Sequence, residues 1–137
     1  MKPTGVSVAG IARRGDKLFI ARRSSGGSLG NKWEFPGGKV EEGETGEEAL
    51  AREFQEEFSL PIQVGEEVAR AVFTHNGVER NLRAYLIRLE DADLPGAVLT
   101  DHKEWKWAPI GEIERLDFAP SDIKLFPALK SYLKANP

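Results

Sequence analysis

Glutamate is concentrated in one short stretch of this chain, between positions 44 and 57. If the stretch is a helix, at about 100° per residue, three of its glutamates point to the same side as Arg52. Side chains three and four positions apart on a helix lie about 5–6 Å from each other, so these carboxylates repel unless a positive group lies between them. A divalent cation would relieve the repulsion, and oxygen ligands without neighbouring histidine or cysteine favour Mg²⁺, with Mn²⁺ as a substitute, over Zn²⁺. The three glutamates are Glu53, Glu56 and Glu57.

The alternative interpretation is a solvated acidic helix face, which is the commoner meaning of a run of charges. Two features favour a site instead. Arg52 stands within the acidic face, and the segment Pro36-Gly37-Gly38 precedes the helix and brings bare backbone close to the same place.

Local signals define the helix that would carry these residues. Thr45 followed three positions later by Glu48 predicts a capping box, so we expect the helix to begin near Gly46. Pro61 ends it. The side opposite the carboxylates is apolar and is predicted to be buried: Leu50, Ala51, Phe54 and Phe58.

The stretch 38–60, GKVEEGETGEEALAREFQEEFSL, resembles the Nudix box of the Nudix hydrolases. The family pattern is glycine, five residues, glutamate, seven residues, then Arg-Glu, a bulky apolar residue, any residue, Glu-Glu, any residue, glycine and a bulky apolar residue. Every specified position matches except Ser59, which stands where the pattern has glycine, at the end of the helix where a left-handed residue is usual. The resemblance is closest to the MutT-like branch. It implies an α/β fold, a Nudix-type α/β/α sandwich with a mixed β-sheet and two main helices.

The resemblance also implies roles for individual residues. Glu53, Glu56 and Glu57 are expected to be metal ligands, and any of them could take a proton from water. Arg52 is expected to orient the catalytic carboxylates, and Lys39 to neutralise phosphate or support Glu57. The remaining implied metal ligands are the carbonyl of Gly37 and the carboxylate of Glu104, for which the alternative is an exposed strand glutamate.

Substrate contacts are expected from segments that lie before and after this helix in the sequence. An arginine fork suits phosphate oxygens, and the resemblance favours Arg23 over its neighbour for this role. Asp122 is expected to read the base edge, and its alternative is a helix N-terminal aspartate favoured by the helix dipole. The segment WEFPGGK supplies the other implied contacts, with core packing as the alternative for its aromatic residues: Glu34, Phe35, Pro36 and Gly37.

Composition limits the remaining possibilities. The chain has 137 residues, 40% of them apolar, which is enough for one ordinary core, so residues 1–137 are predicted to form a single Nudix domain. A net charge of −3 without a long basic run gives no support to stable binding of duplex nucleic acid. No cysteine is present, and the N-terminal apolar run is too short for a signal peptide or a membrane span. We expect a cytoplasmic protein without membrane contact, monomeric or homodimeric.

The rest of the chain is predicted to be mostly strand. Asn76-Gly77 is a strong hairpin signal between two strands. Asp91 to Asp101 is predicted to be a surface loop, and both histidines, His75 and His102, surface or loop residues. Pro127 is expected to divide the final amphipathic segment into a first turn near Ser121 and a regular helix. The predicted elements are strands at 4–13, 17–23, 32–38, 62–75, 78–89 and 104–109, and helices from near 46 to the stop at Pro61, at 110–116 and at 121–134.

The expected activity is Mg²⁺-dependent hydrolysis of a nucleoside triphosphate to the monophosphate and pyrophosphate. The substrate could be an oxidised or otherwise modified nucleotide such as 8-oxo-dGTP, or a CTP-like nucleotide. One alternative is removal of pyrophosphate from RNA 5′ ends, with Arg13, Arg14, Arg22 and Arg23 holding the strand. An alternative from a different class is a non-catalytic nucleotide-sensing module, although such a module has no need to keep all three glutamates.

Overall fold

The structure, a computed structural model, describes residues 5–27, 29–89 and 102–137. Within these ranges the chain forms seven strands and four helices. The strands are β1 (Gly5–Arg14), β2 (Lys17–Arg23), β3 (Trp33–Glu34), β4 (Gly37–Lys39), β5 (Ile62–His75), β6 (Val78–Leu89) and β7 (His102–Pro109). The helices are α1 (Gly46–Phe58), α2 (Ile110–Ile113), α3 (Pro120–Ile123) and α4 (Phe126–Ala135).

The two long hairpins turn where the sequence predicts. Gly15 has a φ of 63° in the turn between β1 and β2, and Asn76 and Gly77 have φ values of 52° and 76° between β5 and β6. Two successive positive φ angles are required by the tight hairpin turn whose twist matches the flanking strands, and an Asn-Gly pair adopts them readily. These turns place β2 beside β1 and β6 beside β5.

The sheet is mixed. Its strands follow the order β3-β2-β1-β6-β5, in which β1 and β6 are parallel and β5 and β6 antiparallel. β4 pairs with β1, and β7 pairs with β2. The short strand β4 therefore lies beside the first half of β1, and its register places Gly38 opposite Val8.

Helices cover both faces of the sheet, which confirms the predicted α/β/α sandwich. One core cluster contains α1 through Leu50, Phe54 and Phe58, packed on Phe19 of β2. The other contains α4 through Leu129 and its neighbours, packed on the alternate residues of the same strands. Side chains of a strand alternate between faces, so one sheet builds two cores.

Several local predictions need correction. The segment 32–38 is two strands rather than one, because Pro36 has no N–H and the backbone N–H of Phe35 donates to a carboxylate instead of a neighbouring strand. Ala51 is exposed, whereas Ala49 is fully buried with Leu50. The helix expected at 110–116 is shorter, ending at Ile113.

The predicted division of the final segment is confirmed. The final segment divides as expected, with Pro127 in the first turn of α4, where a missing N–H costs little. The loop expected at 91–101 lies outside the described residues. No helix in the described ranges is both long enough and apolar enough to cross a membrane.

Candidate active site

The N-terminus of α1 is held by the predicted capping box. Thr45 Oγ1 accepts from the backbone N–H of Glu48 at 3.1 Å, and Glu48 Oε1 accepts from the backbone N–H of Thr45 at 2.9 Å. The helix ends at Ser59, which has a φ of 54° and a ψ of 38° and is therefore left-handed. Both ends confirm the expected helix, and its acidic side faces β4.

The two glycines of β4 let α1 approach the strand closely. A Cβ added to Gly38 would lie 2.3 Å from Glu53 Oε1, and one added to Gly37 would lie 1.9 Å from the carbonyl oxygen of Val8. Ordinary contacts between such atoms are about 3.5 Å, so neither position has room for a side chain. A side chain at position 37 would disrupt the pairing of β4 with β1, and a side chain at position 38 would displace the carboxylate of Glu53.

Arg52 joins the carboxylates of this region. Its guanidinium donates from Nε and Nη2 to the two oxygens of Glu44, at 2.7 and 3.1 Å. Nη1 donates to Glu53 Oε1 at 3.1 Å and to Glu56 Oε1 at 3.3 Å, and Nη2 also donates to the carbonyl oxygen of Lys39 at 3.0 Å. The arginine therefore supplies part of the positive charge that the glutamate pattern requires. Its hydrogen bonds are those that the predicted orienting role needs, and the role itself stays a prediction.

The surroundings of Glu44 and Glu53 shift their pKa values in opposite directions. Hydrogen bonds from Arg52 lower the pKa of Glu44. Burial raises the pKa of Glu53 despite the same arginine, since the Glu53 side chain is only 17% exposed. A half-buried carboxylate with a raised pKa beside bare backbone is typical of a functional site.

Glu57 lies on the same helix but contacts a different partner. His102 Nδ1 is 3.3 Å from Glu57 Oε2, without hydrogen-bond alignment, and His102 Nε2 is 2.7 Å from Glu34 Oε2. The residue is 4% exposed, and its imidazole stacks on Phe58, with ring centroids 5.5 Å apart and 15° between the ring planes. The expectation that His102 is a surface or loop residue is wrong.

A β-bulge explains why the sequence pattern missed His102. On β7, Trp105 and Trp107 contact Phe19 on the α1 side of the sheet, so simple alternation would turn residue 102 to the opposite side. The pairing of β7 with β2 shifts between Arg22 and Arg23, and this extra residue turns His102 toward α1. No local signal in the sequence marks the bulge.

The same strand geometry places Glu104 elsewhere. Glu104 is adjacent to Trp105 and faces the other side of the sheet, where its Oε1 pairs with Arg22 Nη1 at 3.0 Å. Its side chain is 47% exposed. The structure therefore does not bring Glu104 together with the glutamates of α1.

Arg23 and the segment after it line a cleft at the edge of β4. Arg23 Nη1 donates to Glu34 Oε2 at 3.3 Å, so Glu34 is shared between Arg23 and His102. Lys39 is exposed at the rim, and Pro36 is buried behind it, with its carbonyl oxygen accepting from the backbone N–H of Gly10 at 2.8 Å. The cleft has a volume of about 260 Å³ and is lined by Ser7, Val8, Ala9, Arg23, Leu29, Glu34, Phe35, Gly37, Gly38, Lys39, Phe73, His75, Arg80, Leu82, Ser121 and Asp122.

Asp122 lines this cleft and is 7% exposed. Its Oδ2 accepts from the backbone N–H of Phe35 at 2.9 Å, and its Oδ1 accepts from Ser121 Oγ at 3.1 Å. Burial, with the nearby negative charge of Glu34, raises its pKa to about 7. At neutral pH the carboxyl group can therefore act as a donor or as an acceptor.

Arg80 is a cleft residue that sequence reasoning missed. Its Nη2 donates to the carbonyl oxygen of Val6 and to Ser7 Oγ, both at 3.2 Å, and its Nε is buried without a hydrogen-bond partner. The residue lies on a strand with no motif, and only the parallel pairing of β1 with β6 brings it beside the cleft. A larger cavity of about 580 Å³ lies beside Arg13, Arg14 and Trp107, but residues of the box do not line it.

The oxygen ligands of this region have the chemistry that Mg²⁺ or Mn²⁺ prefers. Within the described ranges, however, no three histidine, aspartate or glutamate side chains are already gathered around one point. Glu53 and Glu56 contact Arg52, while Glu57 contacts His102. Glu53 lies directly behind Gly38, which lines the cleft, whereas Glu34 and Asp122 are the carboxylates that line the cleft themselves.

Comparison with known proteins decides the family, since the sequence profile described as NUDIX domain matches residues 1–129. The chain belongs to the Nudix family. Nudix hydrolases act on phosphoanhydride bonds and generally need a divalent metal ion. The segment 38–60 is thus the Nudix box, and its one departure, Ser59, keeps the left-handed backbone of the usual glycine.

Several Nudix relatives match most of the chain. A CTP pyrophosphohydrolase of Escherichia coli (strain K12) is 33% identical over 131 residues, 95% of this chain and 94% of the relative. An 8-oxo-dGTP diphosphatase of Haemophilus influenzae is 30% identical over 88% of each chain. An RNA pyrophosphohydrolase of Sphingopyxis alaskensis is 29% identical over 77% of each. Among solved structures, that of the E. coli ORF135 protein superimposes with a TM-score of 0.84 and 30% identity, covering 97% of this chain and 93% of the other.

Proposed function

We propose that this Nudix hydrolase is a Mg²⁺-dependent nucleoside triphosphate pyrophosphohydrolase that releases a nucleoside monophosphate and pyrophosphate. The observation that carries the proposal is a single cleft lined both by Gly38, with the Glu53 carboxylate behind it, and by the buried Asp122. With the triphosphate beside Gly38, which we call the box end, the base would lie beside Asp122, which we call the base end. Relatives named for hydrolysis of CTP and of 8-oxo-dGTP support a free nucleotide as the substrate.

The charged residues at the box end suit the phosphates. Arg23, oriented by Glu34, would hold phosphate oxygens, and the exposed Lys39 at the rim would neutralise further charge. Glu53, Glu56 and Glu57 would hold the metal ion, with the Gly37 carbonyl as a further ligand. When bound, the ion lowers the pKa of a water molecule and neutralises charge on the phosphate oxygens.

Reorientation of these glutamates is part of the proposal. Arg52 holds Glu53 and Glu56 through one nitrogen, and these contacts are 3.1 and 3.3 Å long. Glu53 and Glu56 would turn from Arg52 toward the ion that they hold, while the paired hydrogen bonds to Glu44 would keep the arginine in place. The water that attacks the phosphate would lose its proton to one of the three carboxylates, and the bond between the α- and β-phosphates would break.

The base end suits a purine or pyrimidine with both donors and acceptors. Phe35 borders the cleft, but it is 2% exposed and its ring packs against Phe118 and Phe126, so its main role is in the core. Asp122, with its pKa near 7, can accept from an amino group or donate to a ring nitrogen or carbonyl. Guanine and cytosine derivatives present such edges. A substrate panel would identify the preferred base.

The panel should contain the standard nucleoside triphosphates, 8-oxo-dGTP and a triphosphorylated RNA oligonucleotide, each with Mg²⁺, and the products should be resolved by chromatography. We expect monophosphate and pyrophosphate from a free nucleotide, and loss of turnover in Glu53→Gln with unchanged thermal unfolding. Release of orthophosphate alone would refute the proposal. Equal turnover by Glu53→Gln would remove that residue from the mechanism, and nucleotide binding without any turnover by the unaltered protein would favour the sensing module.

The RNA oligonucleotide tests the second candidate, which the relative named RNA pyrophosphohydrolase favours. The arginines expected to hold RNA do not form one track, because Arg13 and Arg14 lie at the hairpin turn and Arg22 and Arg23 at the far end of β2. A strand of this length spans about 20 Å. Faster turnover of the oligonucleotide than of any free nucleotide would make RNA the substrate. A cytoplasmic location and a monomeric or homodimeric state stay predictions.

A further inference from the structure

We infer that His102 is a positioning residue, which connects the metal-binding helix to the arginine that contacts the substrate. This inference rests on the proposed function for the roles of Glu57 and Arg23. It is carried by a chain of side-chain contacts that the box pattern does not include. The chain runs from Glu57 through His102 and Glu34 to Arg23.

Each contact in the chain joins a different element. Glu57 belongs to α1, His102 to β7, Glu34 to β3 and Arg23 to β2. The distances are 3.3 Å from Glu57 Oε2 to His102 Nδ1, 2.7 Å from His102 Nε2 to Glu34 Oε2, and 3.3 Å from that oxygen to Arg23 Nη1. One imidazole ring therefore touches two carboxylates that would otherwise face each other across the sheet edge.

Burial makes this arrangement specific. The His102 side chain is 2% exposed, and the side chains of Glu57 and Glu34 are 14% and 13% exposed. Carboxylates this poorly hydrated need polar partners. His102 Nε2 is the hydrogen-bond partner of Glu34, and the stack on Phe58 holds the ring so that Nδ1 contacts Glu57. Since the ring itself is covered, it acts through its neighbours and does not touch the substrate.

The consequence is that His102 connects the metal ligand Glu57 with the substrate contact Arg23, so a change at His102 affects the positions of both. Groups that orient a metal ligand typically change metal affinity or activity by about 10–100-fold when they are replaced. Here the same group also orients Glu34, which in turn orients Arg23. Replacement of His102 should therefore weaken metal binding and substrate binding together.

The test is His102→Phe, which keeps a ring to stack on Phe58 and removes both nitrogens. Mn²⁺ binding to the substrate-free protein, followed by electron paramagnetic resonance, should weaken by about 10–100-fold. His102→Gln should restore part of the loss, because its amide can still donate to Glu34. Lys103→Gln, an exposed neighbour on β7, serves as the matched control and should bind Mn²⁺ as the unaltered protein does.

A double-variant experiment tests the link to Arg23. Arg23→Met should raise KM in the unaltered protein and raise it by a smaller factor in the His102→Phe background, since Glu34 is already loosened there. Unchanged Mn²⁺ affinity in His102→Phe together with independent effects on KM would overturn the inference. If His102→Phe does not fold, Glu34→Ala provides the same test, because it removes the partner of Nε2. Weaker Mn²⁺ binding supports the inference and unchanged binding overturns it.

The Mn²⁺-binding test of His102 and the turnover test of the proposed function can give different answers. Weaker Mn²⁺ binding in His102→Phe, with no turnover of any nucleoside triphosphate by the unaltered protein, would refute the substrate and leave the positioning role standing. Turnover with unchanged Mn²⁺ affinity would do the reverse.

Discussion

Adding a single methyl group at Gly38 should inactivate the enzyme without unfolding it. The Cβ of Gly38→Ala would lie 2.3 Å from Glu53 Oε1. An ordinary contact needs about 3.5 Å, so the carboxylate must move by roughly 1 Å. The atom that must move is the end of a side chain, and the backbone can stay where it is.

The magnitude follows from this displacement. A misplacement of about 1 Å in a catalytic group can lower the rate by about 100-fold, which corresponds to roughly 2.7 kcal/mol. The free energy of unfolding should change by less than about 1 kcal/mol, because no core contact is lost. We therefore expect kcat/KM to fall far more than stability does.

The assay is pyrophosphate release from the best nucleotide of the substrate panel, with urea unfolding of the same preparations. Gly111→Ala is the matched control, since a Cβ there meets nothing within 4 Å, and full activity is expected. Gly37→Ala is the contrast, because its Cβ would lie 1.9 Å from the backbone oxygen of Val8, so this variant should lose stability first. A Gly38→Ala enzyme with activity within a factor of about three of the unaltered protein would refute the close approach of Glu53 as a requirement for catalysis.

Three further predictions concern the helix end, the buried acid and the arginine. Ser59→Gly should stabilise the protein by about 1 kcal/mol in urea unfolding with unchanged turnover, because a left-handed backbone costs an L-residue about that much; a loss of stability would contradict this. The pKa of Asp122 is raised from 3.8 to about 7, chiefly by burial, so the folded protein holds a proton that the unfolded chain releases, and stability should fall as pH rises between these values. Asp122→Asn should remove that decline in unfolding measured from pH 4 to pH 8, and an identical pH profile would refute it. The lysine of Arg52→Lys cannot form the paired hydrogen bonds to Glu44. This variant should lower kcat/KM by about 10–100-fold with little change in KM, as measured by pyrophosphate release. A rise in KM alone would count against an orienting role.

Short-range signals in the sequence were sufficient to predict helix α1, the hairpin between β5 and β6 and the division of the final segment. The helix begins at Thr45 and ends at Ser59 because a reciprocal cap and a left-handed residue act within a few positions of the chain. The hairpin at Asn76-Gly77 depends on two backbone angles, and the division of the last segment depends on the missing N–H of Pro127. Such signals involve neighbours in sequence, so they can be identified before any tertiary contact is known.

The surroundings of the box were decided by the tertiary structure. His102 and Glu104 stand two positions apart on one strand, yet a bulge turns His102 toward Glu57 while Glu104 faces Arg22 on the other side. Arg80 reaches the cleft only because β6 lies parallel to β1. A shift of one residue in strand register exchanges the two faces of a sheet. The sequence by itself therefore identified the carboxylates and the helix that presents them, and strand pairing between distant segments selected the side chains that hold them in place.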